Sequence, residues 1–235
     1  MPGQASPMLG GATPDLKYAS NDNLSVIPVV RALYQNLEDW VVSGTNPPDS
    51  QVPKISDGTL VPTSAVAFPT IPNVNFTSLH TTMPLLGWGP DYRPQDESGV
   101  ATVLPPTYLG KDYAILVPQV DADGNDIAGI RSIDVVAGTG TNTGWNYTAR
   151  PGIIDFSGGP IGTGLIGSYF PYTKTKAERL ASGDPRLSLE ERYGNAQGYV
   201  AAVTSAANDL VARRFMLQVD ADAAIAAATA KPVLP

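Results

Sequence analysis

The residues that could attack an acyl bond are serines, and none of them stands in a setting that activates it. A serine nucleophile on a strand-to-helix turn needs the pattern G-x-S-x-G, because only glycine lets the strand and the helix approach closely. Ser157 has Asp155 in place of the first glycine, and Ser56 has Lys54 there. The sequence therefore predicts no nucleophile elbow, and we assign no catalytic serine.

The single histidine, His80, is the only imidazole that could serve such a serine as general base. It lies in the segment FTSLHTTMP, within a proline-rich stretch. In hydrolases with a nucleophile elbow the histidine follows both the serine and the acid along the chain. No strand–turn–helix pattern precedes His80, so we interpret it as a surface or hairpin residue. An unusual hydrolase that uses His80 or a carboxylate is a third, open alternative.

Metal chemistry has few candidate ligands. With one histidine and no cysteine, the usual ligand set of a transition metal is missing. Asp121, Asp123 and Asn125 imitate the start of a calcium loop, but that pattern needs glycine where Asp126 stands and glutamate where Ser132 stands. We predict a polar turn here and no metal site.

Two further patterns match the residue types of functional motifs but lack the structural context that those motifs need. Gly162–Gly167 satisfies G-x-G-x-x-G, but no clear strand precedes it and no good helix start follows, so we predict no nucleotide or other cofactor. The pairs Asp220/Asp222 and Glu190/Glu191 resemble acid–base partners. We interpret them as acids at the amino ends of helices, where the helix dipole favours negative charge.

Charged residues of both signs alternate before the last helix. They predict an ion-pair cluster that fixes the loop at this point, and a clamp for a substrate carboxylate is the alternative. The members are Arg179, Arg186, Arg192, Glu178, Asp184, Glu190 and Glu191.

The first element that could position such groups is a helix from near Pro28 to the stop at Gly44. Apolar residues recur on one side of it at helical spacing, which predicts an ordinary core-facing helix. They are Val30, Leu33, Tyr34, Leu37, Trp40 and Val41.

The middle of the chain predicts little regular structure. Residues 45–110 carry so many prolines that we expect a long coil draped over a larger body. Strands are predicted at Tyr113–Val117 and Ile127–Val136, joined by the turn Asp121–Asn125, and a glycine-rich loop follows over residues 137–172. We suggest a lid role for four aromatic residues, Trp88, Tyr92, Trp145 and Tyr147.

The last third predicts helices. Asp184 before Pro185 is typical of a helix start, and Ser188 with Glu191 forms an S-x-x-E capping box. A second apolar stripe then follows, with a break or new cap expected at Asp220 or Asp222. Its residues are Tyr199, Val203, Ala206, Leu210 and Leu217.

Composition bounds the remaining classes. The net charge of −7 argues against unspecific nucleic-acid binding, and no stretch approaches the roughly 20 apolar residues of a membrane span. The first residues lack the pattern of a signal peptide, and the compartment stays undetermined. We expect a flexible segment over residues 1–24 and one folded region over residues 25–235.

Five blocks in order resemble the bacterial α/β-hydrolase domain-containing proteins, which are esterase-like by fold. The first and longest block is RALYQNLEDWVVSGTNPPDSQVPKISDGTLVP, Arg31 to Pro62. The others are FPTIPNV (68–74), LVPQVDADGNDIAGIR (116–131), TGWN (143–146) and ERLASGDPRLSLEERY (178–193). The resemblance runs from about residue 25 to about residue 217, and no block is a catalytic signature.

In that family this stretch comes last, and the serine, the acid and the histidine lie upstream. The resemblance thus implies the C-terminal part of a carboxylic-ester hydrolase, and it carries no catalytic residue onto this chain. It implies an α/β class with a partial α/β-hydrolase fold, loop-rich, with a β-hairpin and amphipathic helices and most of the catalytic sheet missing. We expect the chain to be inactive alone, with the upstream catalytic half as partner, an ester as the parent enzyme's substrate and a parent that is often exported. The alternative is a non-catalytic binding or structural module that docks on a partner chain.

Overall fold

Helices and short strands alternate along the chain. The computed structural model describes residues 16–21, 24–76, 82–93, 95, 100–147 and 166–234. The helices are α1 (Ile27–Ser43), α2 (Ile133–Val136), α3 (Lys176–Ser182), α4 (Leu189–Tyr193), α5 (Ala196–Ala212) and α6 (Gln218–Ala230). The strands are β1 (Leu60–Pro62), β2 (Pro84–Gly87), β3 (Thr107–Asp112), β4 (Leu116–Pro118), β5 (Gly140–Asn142) and β6 (Tyr169–Pro171).

The described strands form three separate antiparallel pairs. β1 pairs with β4, β2 with β3 and β5 with β6. The register places Leu60 opposite Pro118 in the first pair and Gly140 opposite Pro171 in the third. Helices mixed with these small sheets agree with the predicted α/β class.

The predicted hairpin is half right. Its turn is confirmed: Asp121 Oδ1 accepts hydrogen bonds from the amides of Asp123 and Asn125, each at 3.0 Å, and Gly124 has a φ of 82°. The second strand is wrong, because Ile133–Val136 forms α2 and β4 pairs with β1 instead. Ile133 packs against the buried residues of α5, so tertiary contact outweighs the strand preference of this β-branched run.

The proline-rich region is more ordered than expected. β3 begins inside the predicted coil, at Thr107, and ends just after it, at Asp112; it pairs with β2 to form an arm. Pro84 is the first residue of β2, a position that a proline tolerates because its missing amide is not needed there. Every residue of β3 is exposed, so the arm makes no core of its own.

The core lies at the helical end of the chain. Val203 and Leu210 of α5 are each 2% exposed, and they belong to clusters that also contain Ala221 and Ala228 of α6. The expected break at the aspartates is wrong: the chain turns at residues 213–217, where Phe215 is buried, and Leu217 precedes α6 rather than lying on α5.

Helix starts were predicted with mixed success. The capping box of Ser188 and Glu191 is confirmed at the start of α4, and Thr175 with Glu178 forms a second one at α3. Asp184 begins no helix, because its carboxylate binds Arg186.

Residues 16–21 touch the body of the protein. The amide of Lys17 donates to the carbonyl of Tyr147 at 2.8 Å, and Tyr18 lies edge-on to Phe170 at 5.0 Å between ring centroids. The division between residues 24 and 25 stays a prediction. No helix in the described residues is long and apolar enough to cross a bilayer.

Candidate functional site

Helix α1 carries an apolar face that the described residues leave open. The helix itself is confirmed, and Gly44 ends it with a φ of 71°. Its predicted stripe, however, points away from the core: Val30 is 39% exposed and Val41 is 77% exposed, with the other members between these values. We call this surface the α1 apolar face; its residues are Val30, Leu33, Tyr34, Leu37, Trp40 and Val41. The expectation of a core-facing stripe is therefore wrong within this chain.

The inward side of α1 is small and polar. Asn36 is 3% exposed, and its amide nitrogen donates to the carbonyl of Arg214 at 2.8 Å. Arg31 pairs with Asp220 of α6. The helix is thus held on the rest of the protein by polar contacts, because the residues that would hold it by apolar burial face outward. Sequence reasoning missed Asn36; the only signal was a polar residue one helical turn after Ala32.

Contiguous exposed apolar surface of this kind usually marks a place where another protein surface binds. A soluble amphipathic helix normally turns its stripe toward a core. The α1 apolar face is for this reason the candidate functional surface of the chain.

The arginine cluster is confirmed and is tied into the fold. Arg186 is 3% exposed and donates to both carboxylate oxygens of Asp184, to Thr141 Oγ1 at 2.8 Å and to the carbonyl of Phe170 at 2.8 Å. Burial tends to raise the pKa of Asp184, but the hydrogen bonds from Arg186 outweigh it and hold that pKa below its ordinary value. This pair locks β5 and β6 to the loop before α4.

Two more arginines are engaged in the same way. Arg179 binds both oxygens of Glu191, at 2.7 and 3.0 Å. Arg192 binds Asp123, with one contact at 2.8 Å, and lies 4.0 Å from the ring centroid of Tyr172. Burial raises the pKa of Tyr172, and the guanidinium of Arg192 opposes that shift. Protein carboxylates bind all three guanidinium groups of the cluster, which leaves the substrate-clamp alternative without support.

The acidic turn at Asp121–Asn125 supplies carboxylates to the same arginine cluster. Arg131 pairs with Asp121 and Arg192 with Asp123, a partner that sequence reasoning did not assign. Asn125 is 1% exposed, and its side-chain oxygen accepts from the amide of Asn142 at 2.8 Å. The described residues hold no group of three acidic or histidine side chains placed to bind a metal.

Three of the four paired carboxylates lie at helix starts, as predicted: Glu190 and Glu191 are in the first turn of α4, and Asp220 is in the first turn of α6. Asp222 lies further along α6 and accepts a hydrogen bond from the side chain of Gln218 at 2.8 Å, so the prediction for it is wrong. Glu190 accepts a hydrogen bond from the amide of Lys176 at 2.8 Å. These contacts satisfy helix amides and give no acid–base pair.

The four aromatic residues of the suggested lid fall into two groups. Trp88 and Tyr92 contact each other on the arm, with ring centroids 5.9 Å apart. Trp145 and Tyr147 belong to a second cluster, which we call the Trp145 cluster. Its other rings are Tyr18, Phe68, Phe76 and Phe170. The structure does not place the four residues on one common surface, so they do not form a single lid.

His80, Ser157 and most of Gly162–Gly167 lie outside the described residues. Ser56, the other serine considered, is exposed in a turn before β1. The structure therefore brings no candidate nucleophile and base together among the residues that it describes.

Comparison with known proteins identifies a family for nearly the whole chain. A family model described as an alpha/beta hydrolase domain matches residues 4–226. No curated protein and no solved structure matches this chain. The match agrees with the resemblance carried by the five sequence blocks and indicates a hydrolase-like function. The chain belongs to the α/β-hydrolase domain family.

Proposed function

We propose that this chain is the non-catalytic, C-terminal part of a carboxylic-ester hydrolase and that it docks through the α1 apolar face on the catalytic body. The observation that carries the proposal is the reversed orientation of α1, whose apolar stripe is open while Asn36 and Arg31 hold the helix from the inward side. An apolar face of this length gains free energy when a sheet or helix covers it. The sequence also contains no G-x-S-x-G, so the nucleophile belongs to the body that α1 covers.

An esterase assay of the isolated chain tests this function. We expect that the chain alone does not hydrolyse p-nitrophenyl esters above the rate of a buffer blank. Turnover that disappears in His80→Ala would instead support a hydrolase that uses His80, and it would end the proposal. Turnover that survives His80→Ala would point to a carboxylate and end it equally.

Docking through the α1 apolar face is tested in a complex of this chain with the catalytic segment. If DNA just upstream of Met1 encodes a G-x-S-x-G segment, in frame or shifted, that segment is expressed together with this chain. Leu37→Glu places a charge on the α1 apolar face, and we expect it to abolish the esterase activity of the complex. Leu180→Glu is the matched control, because Leu180 of α3 is 63% exposed outside that face and its change leaves activity intact.

A binding or structural module that docks on a different partner is the second candidate. The observation that favours it is the core of α5 and α6, which is closed without any other chain. A sharp thermal transition without binding of an apolar dye supports an autonomous module. Dye binding that Leu37→Glu reduces and Leu180→Glu does not supports the hydrolase part with an open α1 face.

A further inference from the structure

Two cavities adjoin each other beside the turn that carries Asp126. Their volumes are about 340 and about 400 Å³, a size that suits small molecules. They share four wall residues, Asp126, Asn142, Thr143 and Gly144. None of these four residues belongs to the α1 apolar face, which contributes only Val30 to the wall of the smaller cavity.

Buried polar atoms without a protein partner are concentrated in the wall of the smaller cavity. Both amide atoms of Asn142, the hydroxyl of Ser132 and Nε of Arg131 have no hydrogen-bond partner in the described part of the chain. Only two other side-chain atoms there share this condition, on Thr173 and Asp220. A buried unpaired polar atom costs free energy, so four of them around one cavity indicate a place where a ligand supplies the missing bonds.

The types of these atoms restrict the ligand. Nε of Arg131 and the amide nitrogen of Asn142 can only donate, the hydroxyl of Ser132 can donate or accept, and Oδ1 of Asn142 can only accept. Such a wall fits a ligand that carries both a carbonyl oxygen and an N–H group, as a primary amide does. Asp126 in the shared wall and Asp121 beside Arg131 disfavour a negatively charged ligand.

The remaining walls are apolar. Val26, Val29 and Val30 line the smaller cavity. Phe68 and Trp145, whose rings are 5.7 Å apart, line the larger one. Flat rings of this kind accept an aromatic or aliphatic group by stacking and apolar contact.

We propose that the paired cavities bind an uncharged primary amide, with its carbonyl oxygen on Asn142 Nδ2 and Ser132, its amino group on Asn142 Oδ1 and its apolar part against Phe68 and Trp145. The proposal needs only this chain and does not rest on its role in an ester hydrolase.

Three probes with one common body test the proposal on the full 235-residue chain by calorimetry at pH 7. Phenylacetamide carries the uncharged amide, phenylacetate carries an anionic carboxylate on the same benzyl group, and 2-phenylethanol lacks the carbonyl. We expect saturable binding of phenylacetamide and binding at least about fivefold weaker for the other two, because 2-phenylethanol loses a hydrogen bond and phenylacetate brings a negative charge close to Asp126. Equal binding of all three probes, or no saturable binding of phenylacetamide, overturns the proposal.

Variants of the wall locate the site. Asn142→Ala is expected to weaken phenylacetamide binding about tenfold and Ser132→Ala about fivefold. Asn46→Ala is the matched control. Asn46 is exposed, and it accepts a hydrogen bond from Arg214 through its backbone carbonyl, which the substitution keeps. The Asn46→Ala variant is therefore expected to bind phenylacetamide as tightly as the unchanged chain. Should Asn142→Ala not fold, Ser132→Ala tests the same wall. Undiminished affinity in the folded wall variants contradicts the proposal.

Discussion

Helices α1 and α5 have similar apolar stripes in the sequence and opposite fates in the structure. Both are 17 residues long. Leu210 of α5 is 2% exposed, whereas Leu37 of α1 is 50% exposed. The difference comes from what lies beside each helix: α5 packs against α2 and α6, and α1 meets the protein through Asn36 and Arg31.

The comparison shows that helical periodicity identifies an apolar face without identifying what covers it. In α5 the cover comes from segments that follow closely in the chain, such as Phe215 and Ala221. For α1 the described residues provide no such cover. Under the proposed function, the catalytic body is what covers this open face.

The largest expected effect concerns the polar contacts that hold each region. Arg186→Met leaves Asp184 buried and unpaired, and we expect it to lower the free energy of unfolding by about 3–5 kcal/mol. Arg31→Met removes the pair with Asp220, in which the arginine side chain is 51% exposed and the aspartate side chain 12% exposed; it costs about 1 kcal/mol, because the amino end of α6 still favours the carboxylate. Chemical denaturation of both variants checks the difference. Similar losses of unfolding free energy in the two variants would show that the Arg31 pair stabilises the protein as much as the Arg186 pair does.

The next effect compares the two apolar stripes directly. Leu210→Ala opens a cavity in the core and is expected to cost about 2–5 kcal/mol of unfolding free energy. Leu37→Ala changes only exposed surface and stays within about 0.5 kcal/mol. The same denaturation experiment on this chain measures both. A large loss for Leu37→Ala would mean that the α1 apolar face is covered in solution.

The smallest effect is a pH dependence of the free energy of unfolding, which arises from Glu191 in the arginine cluster before α5. The side chain of Arg179 and the amide of Ser188 lower the pKa of Glu191 to about 2. A carboxyl whose pKa is lowered on folding stabilises the protein above its ordinary pKa, and this stabilisation is lost as the pH falls toward 2.

Arg179→Met is expected to return the pKa of Glu191 toward its ordinary value and to flatten the pH dependence of unfolding between about pH 5 and pH 2. A carboxyl-detected NMR titration of Glu191 measures the shift. The control is Arg213→Met, which removes the exposed pair with Asp209 and leaves Glu191 unchanged. An unchanged Glu191 titration in Arg179→Met would refute the assigned cause.

Local signals in the sequence predicted local structure well. Gly44 predicted the end of α1, the pair Ser188 and Glu191 predicted a capping box, and the acidic turn at Asp121 formed as expected. Each of these features depends on hydrogen bonds between residues a few positions apart, so no distant contact has to be known.

Longer-range features could not be predicted in this way. Ile133–Val136 became a helix because it packs on α5, and Asp123 binds Arg192, a residue 69 positions away. The smaller cavity beside Asn142 depends on two segments that are far apart in the chain, residues 21–30 and 125–144. Such arrangements follow from packing rather than from spacing.

The sequence by itself determined the family, the lack of a nucleophile elbow, the helix ends and the acidic turn, because motifs and caps are written in neighbouring residues. Only the tertiary structure decided that the stripe of α5 is buried and that of α1 is open. It also decided that Arg186 is buried with hydrogen bonds to both β5 and β6 and that two cavities meet at Asn142. The physical reason is that burial is a relation between distant segments, and a residue's type states its preference for burial but not its surroundings.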